Sequence, residues 1–404
     1  MLPSKAEKGK NSLLARVLFH NPVAFIGGGE VGLLNIVKAL DGLCESIVVL
    51  PFRGPLESEL QSLPCKTIVQ PMPEELSRIS RRKAPGLHSL ACLPSFASYL
   101  RDLNGLVADL SPDLIYSNGL KSHFLCGLVA KWRKIPMLCH VRDVLEDLPF
   151  ASFFLRHFAS LTIGNSEQTC AALDLPEQSL WMIRNALDLE SLQREMNSEP
   201  PALVGDIRRK RDGLVLSAGK LCQLKGFDSL LDGFSLILEK GWNYDLLIAG
   251  SEYRDPEYRD SEMGYRRVLE DKVLELGLGG RVHFLGEVRP LAPLMRECEL
   301  FVLASRSEGF GRVLAEAMAC GLPVIDSRLQ PLSYLVGEDE ERGLLFDSDD
   351  CRDLADTMER ALEDPRLMEL RAKRAKAFVE ANLTLEKLRQ SLTAAVERAI
   401  SREV

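Results

Sequence analysis

Apolar residues fall in short blocks along this chain, most of them closed by a glycine, a proline or a small polar residue. The clearest block is Leu300-Phe301-Val302-Leu303-Ala304. Its length and bulk suit a strand buried on both faces of a parallel sheet. Residues 312–320 hold strong helix formers and no breaker. Gly321 then supplies a helix stop, and Leu322-Pro323-Val324-Ile325 begins another strand. Strand, glycine-bearing loop, helix and strand make a βαβ unit whose loop lies at the carboxyl end of a strand. Ligands bind there in open α/β sheets.

The same alternation runs through the rest of the chain. After a loose tail over 1–12, residues 13–19 and 22–26 read as strands, and 33–40 have helical spacing. Strand patterns recur at 46–50, 113–118, 135–140, 159–166, 180–188, 214–219, 244–251 and 281–286, and helical spacing at 124–132, 227–238 and 268–276. Composition shifts at 193–213, where Met196-Asn-Ser-Glu-Pro-Pro201 is followed by Arg208-Arg-Lys-Arg211. From Pro365 to the end the chain reads as two charged amphipathic helices. The pattern predicts an α/β protein of two doubly wound, parallel-sheet, Rossmann-like domains, 1–192 and 193–385, with a closing segment 386–404.

A length of 404 residues exceeds one ordinary core and supports two domains. Net charge is −8, which argues against a broad nucleic-acid surface. The ten cysteines include no C-x-x-C pair, so neither a zinc site nor a disulfide framework is expected, and a reducing compartment is. Neither a signal peptide nor an apolar run of about 20 residues is visible, so the expected location is cytoplasmic.

Candidate chemistry sits at the predicted strand ends. Glu308 lies in the loop before Gly309, Phe310 and Gly311, and Glu316 lies eight residues on. The helical rise puts Glu316 about 6–8 Å from the helix start, so both carboxylates reach one ligand over that end. Carboxylates accept hydrogen bonds from sugar hydroxyls, the glycines let backbone approach a ligand, and free N–H groups at the helix start favour a phosphate. A lone helical Glu is usually a solvated surface residue. Glu316, however, is flanked by Ala315, Ala317 and Ala319, and a buried Glu requires a partner. Lys220 follows the strand-ending Gly219, and Lys225-Gly226 opens a helix, so two ammonium groups stand ready for a diphosphate. His140 ends a strand, where the active-site zone of such folds lies, with Asn118 and His123 as lesser candidates. Gly27, Gly29 and Gly32 fit G-x-G-x-x-G, but the acid expected after the next strand is replaced by Pro51-Phe52-Arg53, and an Arg there suits a 2′-phosphate.

Glu308-Gly-Phe-Gly-Arg-Val-Leu-Ala-Glu316-Ala-Met-Ala-Cys-Gly-Leu-Pro-Val-Ile resembles the E-x7-E signature of the retaining glycosyltransferases of family 4, which have the GT-B fold. The resemblance is strong from Val215 to Phe346 and weaker before. It implies a central cleft between the domains, with acceptor in the first and a UDP- or GDP-sugar donor in the second, and a last helix crossing back to the first domain. Lys220 and Lys225 match Gly-Arg-x4-Lys-Gly with Lys for Arg, which keeps the charge but loses the bidentate fork. Both are expected to stabilise the leaving diphosphate, Glu308 to grip sugar hydroxyls together with Gly309, Phe310, Gly311, Arg312 and Val313, and Glu316 the ribose. Gly286-Glu287-Val288 matches the loop that meets the base, and Gly250 the turn before it. His140 matches a His near the transferred sugar, though Val141-Arg142 separates it from Asp143, and Gly27-Gly28-Gly29 lies beside pyrophosphate and acceptor, with Asn118 nearby. Arg328-Leu329-Gln330-Pro331 lacks the family's usual Gly-Gly-x-x-Glu. No cofactor and no metal ion are implied; the D-x-D at Asp347-Ser348-Asp349 suggests a metal-dependent, single-domain glycosyltransferase, but it follows a late strand at 343–346 and the run Ser348-Asp349-Asp350 reads as a helix N-cap.

Arg78, Arg81, Arg82 and Lys83, followed by an apolar-spaced segment, are expected either to form a solvated loop or to touch an anionic membrane carrying a glycan or lipid-linked acceptor. The other readings kept open are an NADP oxidoreductase using the N-terminal glycine loop, a GT-B sugar-nucleotide 2-epimerase, and a nucleotide-sugar binder without turnover.

Overall fold

The structure is a computed structural model that describes residues 15–77, 93–142, 149–252 and 264–401. The basic cluster at Arg78, Arg81, Arg82 and Lys83, Asp143, and most of the charged stretch at 252–267 lie outside the described residues. The chain divides into two compact units, Met1–Ala186 with Leu385–Val404, and Leu187–Thr384.

The first unit carries a seven-stranded sheet in the order β3-β2-β1-β4-β5-β6-β7. Its strands are β1 (Ala15–His20), β2 (Cys44–Leu50), β3 (Cys65–Val69), β4 (Leu114–Asn118), β5 (Met137–Val141), β6 (Leu161–Gly164) and β7 (Leu180–Met182), and all pairings are parallel. Side chains alternate across it: Val17 and Phe19 enter one core layer, Leu18 the other. The segment 22–26, expected as a strand, is irregular. Pro22 has no N–H to give a ladder, and Asn21 donates its side-chain amide to the Val23 carbonyl at 2.6 Å, which turns the chain. The helix Gly28–Ala39 follows.

The second unit has six parallel strands in the order β10-β9-β8-β11-β12-β13. They are β8 (Gly213–Ala218), β9 (Tyr244–Ala249), β10 (Val282–Gly286), β11 (Leu300–Leu303), β12 (Val324–Ser327) and β13 (Leu344–Phe346). Leu214, Leu216 and Ala218 face one core layer and Val215 the other. The helix Arg312–Cys320 spans the residues its composition predicts, and Leu314, Ala315, Ala317, Met318 and Ala319 are buried. Gly321 caps it at φ 77°. Asp350 caps the helix Cys351–Glu363 by accepting the N–H groups of Arg352 and Asp353.

The division falls ahead of the composition change at 193. Leu187 already joins the second core, donates to Leu383 O at 2.8 Å, and Leu189 and Leu192 pack on the same core. The segment 193–213, whose composition suits either a linker or a surface helix, contains the helix Ala202–Arg208, which buries Val204 and Ile207 in the second unit. The last helix, Leu385–Ser401, belongs to the first unit. Leu388, Leu392, Ala395, Val396 and Ala399 form one apolar stripe in its core.

In both sheets the chain leaves two adjacent strands in opposite directions, at β1/β4 in the first and β8/β11 in the second. Each such point opens a crevice at the carboxyl edge. The second is held tight by Gly226, at φ 61°, where an added Cβ would stand 1.8 Å from the Ala304 carbonyl oxygen. Gly226→Ala is expected to destabilise the protein by about 1–3 kcal/mol, through a strained backbone and a forced shift of the 304–308 loop. Urea unfolding measures it, and a wild-type midpoint would show that the loop yields freely.

Candidate active site

At the carboxyl edge of the second sheet three glycines lie side by side. Gly219 donates to Ala249 O at 3.0 Å, and Gly250 donates to Gly286 O at 2.7 Å. Gly250 has φ 156°, and a Cβ there would come within 1.8 Å of Gly219 O. No other residue lets these strand ends run so close. Gly286, at φ 69°, ends β10. Beyond it Glu287 pairs with Arg289 at 2.9 Å, and Val288 packs on the core. Lys220 follows Gly219 and is half-buried.

Lys225 ends a 3₁₀ turn, Gln223–Lys225, and forms an ion pair with Glu308. The two are 83 residues apart in sequence. Glu308 also accepts Ser305 Oγ at 3.0 Å. A fold of the loop holds the pair: the Arg306 N–H donates to Leu224 O at 2.8 Å, and its guanidinium binds Asp228 at 2.8 Å, Asp349 at 2.6 Å and Ser229 Oγ at 2.9 Å. Burial alone would raise the Asp228 pKa, but hydrogen bonds from Arg306 and Tyr265 hold it below the usual value. Asp349, half of the D-x-D, is thus a structural partner. Among the described residues no group of three or more His, Cys, Asp or Glu side chains is placed to hold a metal ion.

Phe310 is buried, and Gly311 takes φ 82° at the cap of the helix Arg312–Cys320, where a Cβ would stand 2.3 Å from Leu332 Cδ2. Gly309 and half-buried Val313 flank that turn. No acid occupies the first turn of this helix and no side chain caps it, so the N–H groups of that turn have no side-chain cap. Glu316 has its partner within the helix, an ion pair with Arg312. This satisfies the carboxylate without a ligand. The structure therefore brings Gly219, Lys220, Lys225, Gly250, Gly286, Glu308 and the 309–313 turn to one edge, with Glu316 a turn further on.

The first unit presents a different arrangement. His140, at the end of β5, is fully buried, and its Nδ1 bonds Tyr116 Oη at 2.5 Å. Its Nε2 is buried without a hydrogen-bond partner. Burial, then the charge of Arg142 and the neighbouring His123, push its pKa well below the ordinary value. His123 bonds Ser117 Oγ at 2.7 Å. Asn118 donates to Asn21 Oδ1 at 2.6 Å and accepts Arg142 Nε at 2.8 Å. Arg142 also donates to Asn185 Oδ1 at 3.0 Å. Arg142, read from sequence only as a spacer after His140, is thus the hub of this edge. A Cβ at Gly32 would stand 2.3 Å from Arg142 Nη1, and one at Gly29 3.6 Å from Cδ. The third glycine of G-x-G-x-x-G makes room for a guanidinium.

The start of the helix Gly28–Ala39 is occupied by its own carboxylate, with Gly27 N–H donating to Glu30 Oε2 at 3.0 Å. Nothing lies within 4 Å of a Cβ at Gly28. Arg53 is mostly exposed and pairs with Glu57 at 3.1 Å. A carboxylate at the helix start opposes a dinucleotide phosphate, which needs the reverse polarity. Neither Arg142, Arg306 nor Ser305 carries a spacing signal, since each acts only through partners distant in sequence.

The family described as glycosyltransferase family 4 matches residues 26–191, and that described as glycosyl transferases group 1 matches residues 206–378. The chain has the GT-B fold, and each of its two units matches a glycosyltransferase family model. Solved structures share the fold: this GT-B chain matches Anabaena HepE in complex with UDP and glucose at a TM-score of 0.78 and 22% identity, over 95% of this chain and 99% of that one. Among curated relatives, the lipopolysaccharide core mannosyltransferase LpsB of Rhizobium meliloti is 29% identical over 54% of this chain and 60% of that protein. The N,N'-diacetylbacillosaminyl-diphospho-undecaprenol alpha-1,3-N-acetylgalactosaminyltransferase of Campylobacter jejuni is 24% identical over 83% and 86%. The chain thus spans less than two thirds of the length of LpsB. No described helix is long and apolar enough to cross a membrane.

Two outcomes are expected. A double-mutant cycle with Lys225→Met and Glu308→Gln, read by urea unfolding, yields a coupling of about 1–3 kcal/mol, because each single change strands a largely buried charge; additivity would show that the pair is not held in solution. His20 is wholly buried between Ser122 and Tyr99, and burial lowers its pKa to about 4. Its neutral form is favoured on folding, so its contribution is complete above about pH 6.5 and is lost as pH falls towards 4, by at most about 3 kcal/mol. Melting temperature against pH for wild type and His20→Gln checks this, the variant being expected to show the shallower acid limb.

Proposed function

We propose that this chain transfers a sugar from a UDP- or GDP-sugar to a glycan or lipid-linked acceptor, with retention at the anomeric carbon and without a metal ion or other cofactor. The observation that carries the reading is the Lys225–Glu308 pair at the β8/β11 crevice, beside three glycines that leave the strand ends bare. Its parts match what a nucleotide sugar presents. Lys225, Lys220 and the start of the helix Arg312–Cys320 supply positive charge for a diphosphate. Glu308 accepts hydrogen bonds from sugar hydroxyls once Lys225 turns to the phosphate, and Glu316 accepts from the ribose. The backbone at Gly286, Glu287 and Val288 meets the base. The first unit serves the acceptor, with Gly27, Gly28, Gly29 and Asn118 at its edge and His140 buried beside them.

The chemistry follows from this division of charge. The anomeric carbon–oxygen bond to the diphosphate breaks as that leaving group is stabilised by ammonium and N–H groups. The acceptor hydroxyl forms its bond on the same face and passes its proton to the departing phosphate oxygen. No carboxylate is placed as a covalent nucleophile in this reading. Relatives support both substrates: HepE was solved with UDP and glucose, and the Campylobacter relative is named for an undecaprenol-diphosphate acceptor. With such an acceptor the chain would work as a peripheral protein on the cytoplasmic face of a membrane.

The test is a thermal shift against UDP, GDP, ADP, NAD and NADP. A ligand at about 100 times its Kd stabilises by about 2.7 kcal/mol. UDP or GDP is expected to raise Tm in wild type, less in Glu316→Ala and not measurably in Lys225→Ala. A response to NADP alone would overturn the reading and move the site to Gly27 through Arg53.

A further inference from the structure

Asp326 has no role in the reading above, and packing does not explain it. It lies in β12, is wholly buried, and is aligned with Leu303 of β11, from which the Glu308 loop departs. On its other side the register partner is Leu345 of β13. The next residue, Ser327, donates Oγ to the Ser305 carbonyl at 2.6 Å, and Ser305 donates Oγ to Glu308 at 3.0 Å. Asp326 therefore sits at the root of the loop that presents the Lys225–Glu308 pair. Its Oδ1 accepts the Ser327 N–H at 2.9 Å. Its Oδ2 is buried without any hydrogen-bond partner. A bare, buried carboxylate oxygen strongly favours the protonated form. Burial, then the negative charge of Glu308, push the Asp326 pKa well above the ordinary value, and the Ser327 N–H and the Lys225 charge oppose without prevailing. Glu308 and Lys225 are the charged groups that act on it, since β11 and β13 offer only leucines at its register.

We propose that Asp326 is a positioning residue, a neutral carboxylic acid at the root of the Lys225–Glu308 pair that leaves Lys225 free to exchange Glu308 for the diphosphate of a nucleotide donor. The proposal rests on reading Lys225 as the diphosphate ligand. Three groups share the edge, and one cation must serve two customers in turn. In the unliganded protein Lys225 is held by Glu308. When a diphosphate arrives, the ammonium is drawn to it, and Glu308 keeps Ser305 while its other valences turn to sugar hydroxyls. An ionised Asp326 would add a second carboxylate competing for Lys225 and a second negative charge facing the diphosphate. The neutral acid removes both effects.

The experiment compares wild type with Asp326→Asn, which keeps the shape and the neutral charge. Infrared difference spectra of the two read the carbonyl band of a protonated carboxylic acid, and calorimetry reads UDP and GDP affinity from about pH 6 to about pH 9. Wild type is expected to show the band at pH 7 and the variant to lack it. Their affinities are expected to agree within about threefold wherever the band persists, and wild type to weaken relative to the variant only where it fades. A wild type that binds while lacking the band at pH 7 overturns this proposal alone, as does an affinity ratio that moves without the band or fails to move with it. A wild type that binds neither nucleotide overturns the proposed function, and this proposal with it. Asp326→Ala provides the same affinity and band readings if the Asn variant does not fold.

Discussion

The ion pair between Lys225 and Glu308 is the interaction on which the second unit's crevice depends. It joins the loop after β8 to the loop after β11, the two loops that leave the sheet in opposite directions. Around it the structure is built to permit the approach. Gly226 passes under the Ala304 carbonyl, Arg306 ties the 3₁₀ turn to Asp228 and Asp349, and Gly250 runs against Gly219. Each contact is cheap only because the next one is in place. A side chain at any of these glycines would part the loops, and the pair would lose its partial burial, on which its strength depends.

The first unit solves a related problem with different chemistry. A cation, Arg142, is pinned by Asn118 and Asn185 and stands beneath a helix whose first N–H is already taken by Glu30. Burial raises the pKa of Glu30, while the Gly27 N–H and the Arg142 charge work against that rise. The result is a polar edge with its charges compensated internally and with His140 neutral beside it. Such an edge has little attraction for a dinucleotide phosphate. The two units thus share a topology and differ in what their switch points offer.

The sequence by itself determined much of this. Apolar blocks and glycine stops located most of the described strands within a few residues, because a parallel sheet buried on both faces requires short apolar runs. The helix Arg312–Cys320 follows from composition alone, bounded by a cap glycine and a proline. The E-x7-E segment and the Lys-x4-Lys spacing named residues that the fold brings to one edge. Segment 22–26 failed as a strand because its apolar content outweighed the turn made by Asn21 and Pro22.

Only the tertiary structure decided who partners whom. Glu316 looked like a buried acid awaiting a ligand, and it has Arg312 one turn away. Gly32 looked like part of a phosphate fingerprint, and it clears space for Arg142. Asp326 carried no signal at all, since a single acid in an apolar strand reads as an ordinary edge residue until its burial and its unpartnered oxygen are seen. The physical reason is common to all three. Local pattern fixes which face of an element is apolar, because that depends on neighbours a few residues away. Charge compensation depends on side chains brought together from distant strands, and no periodicity records which of them will meet.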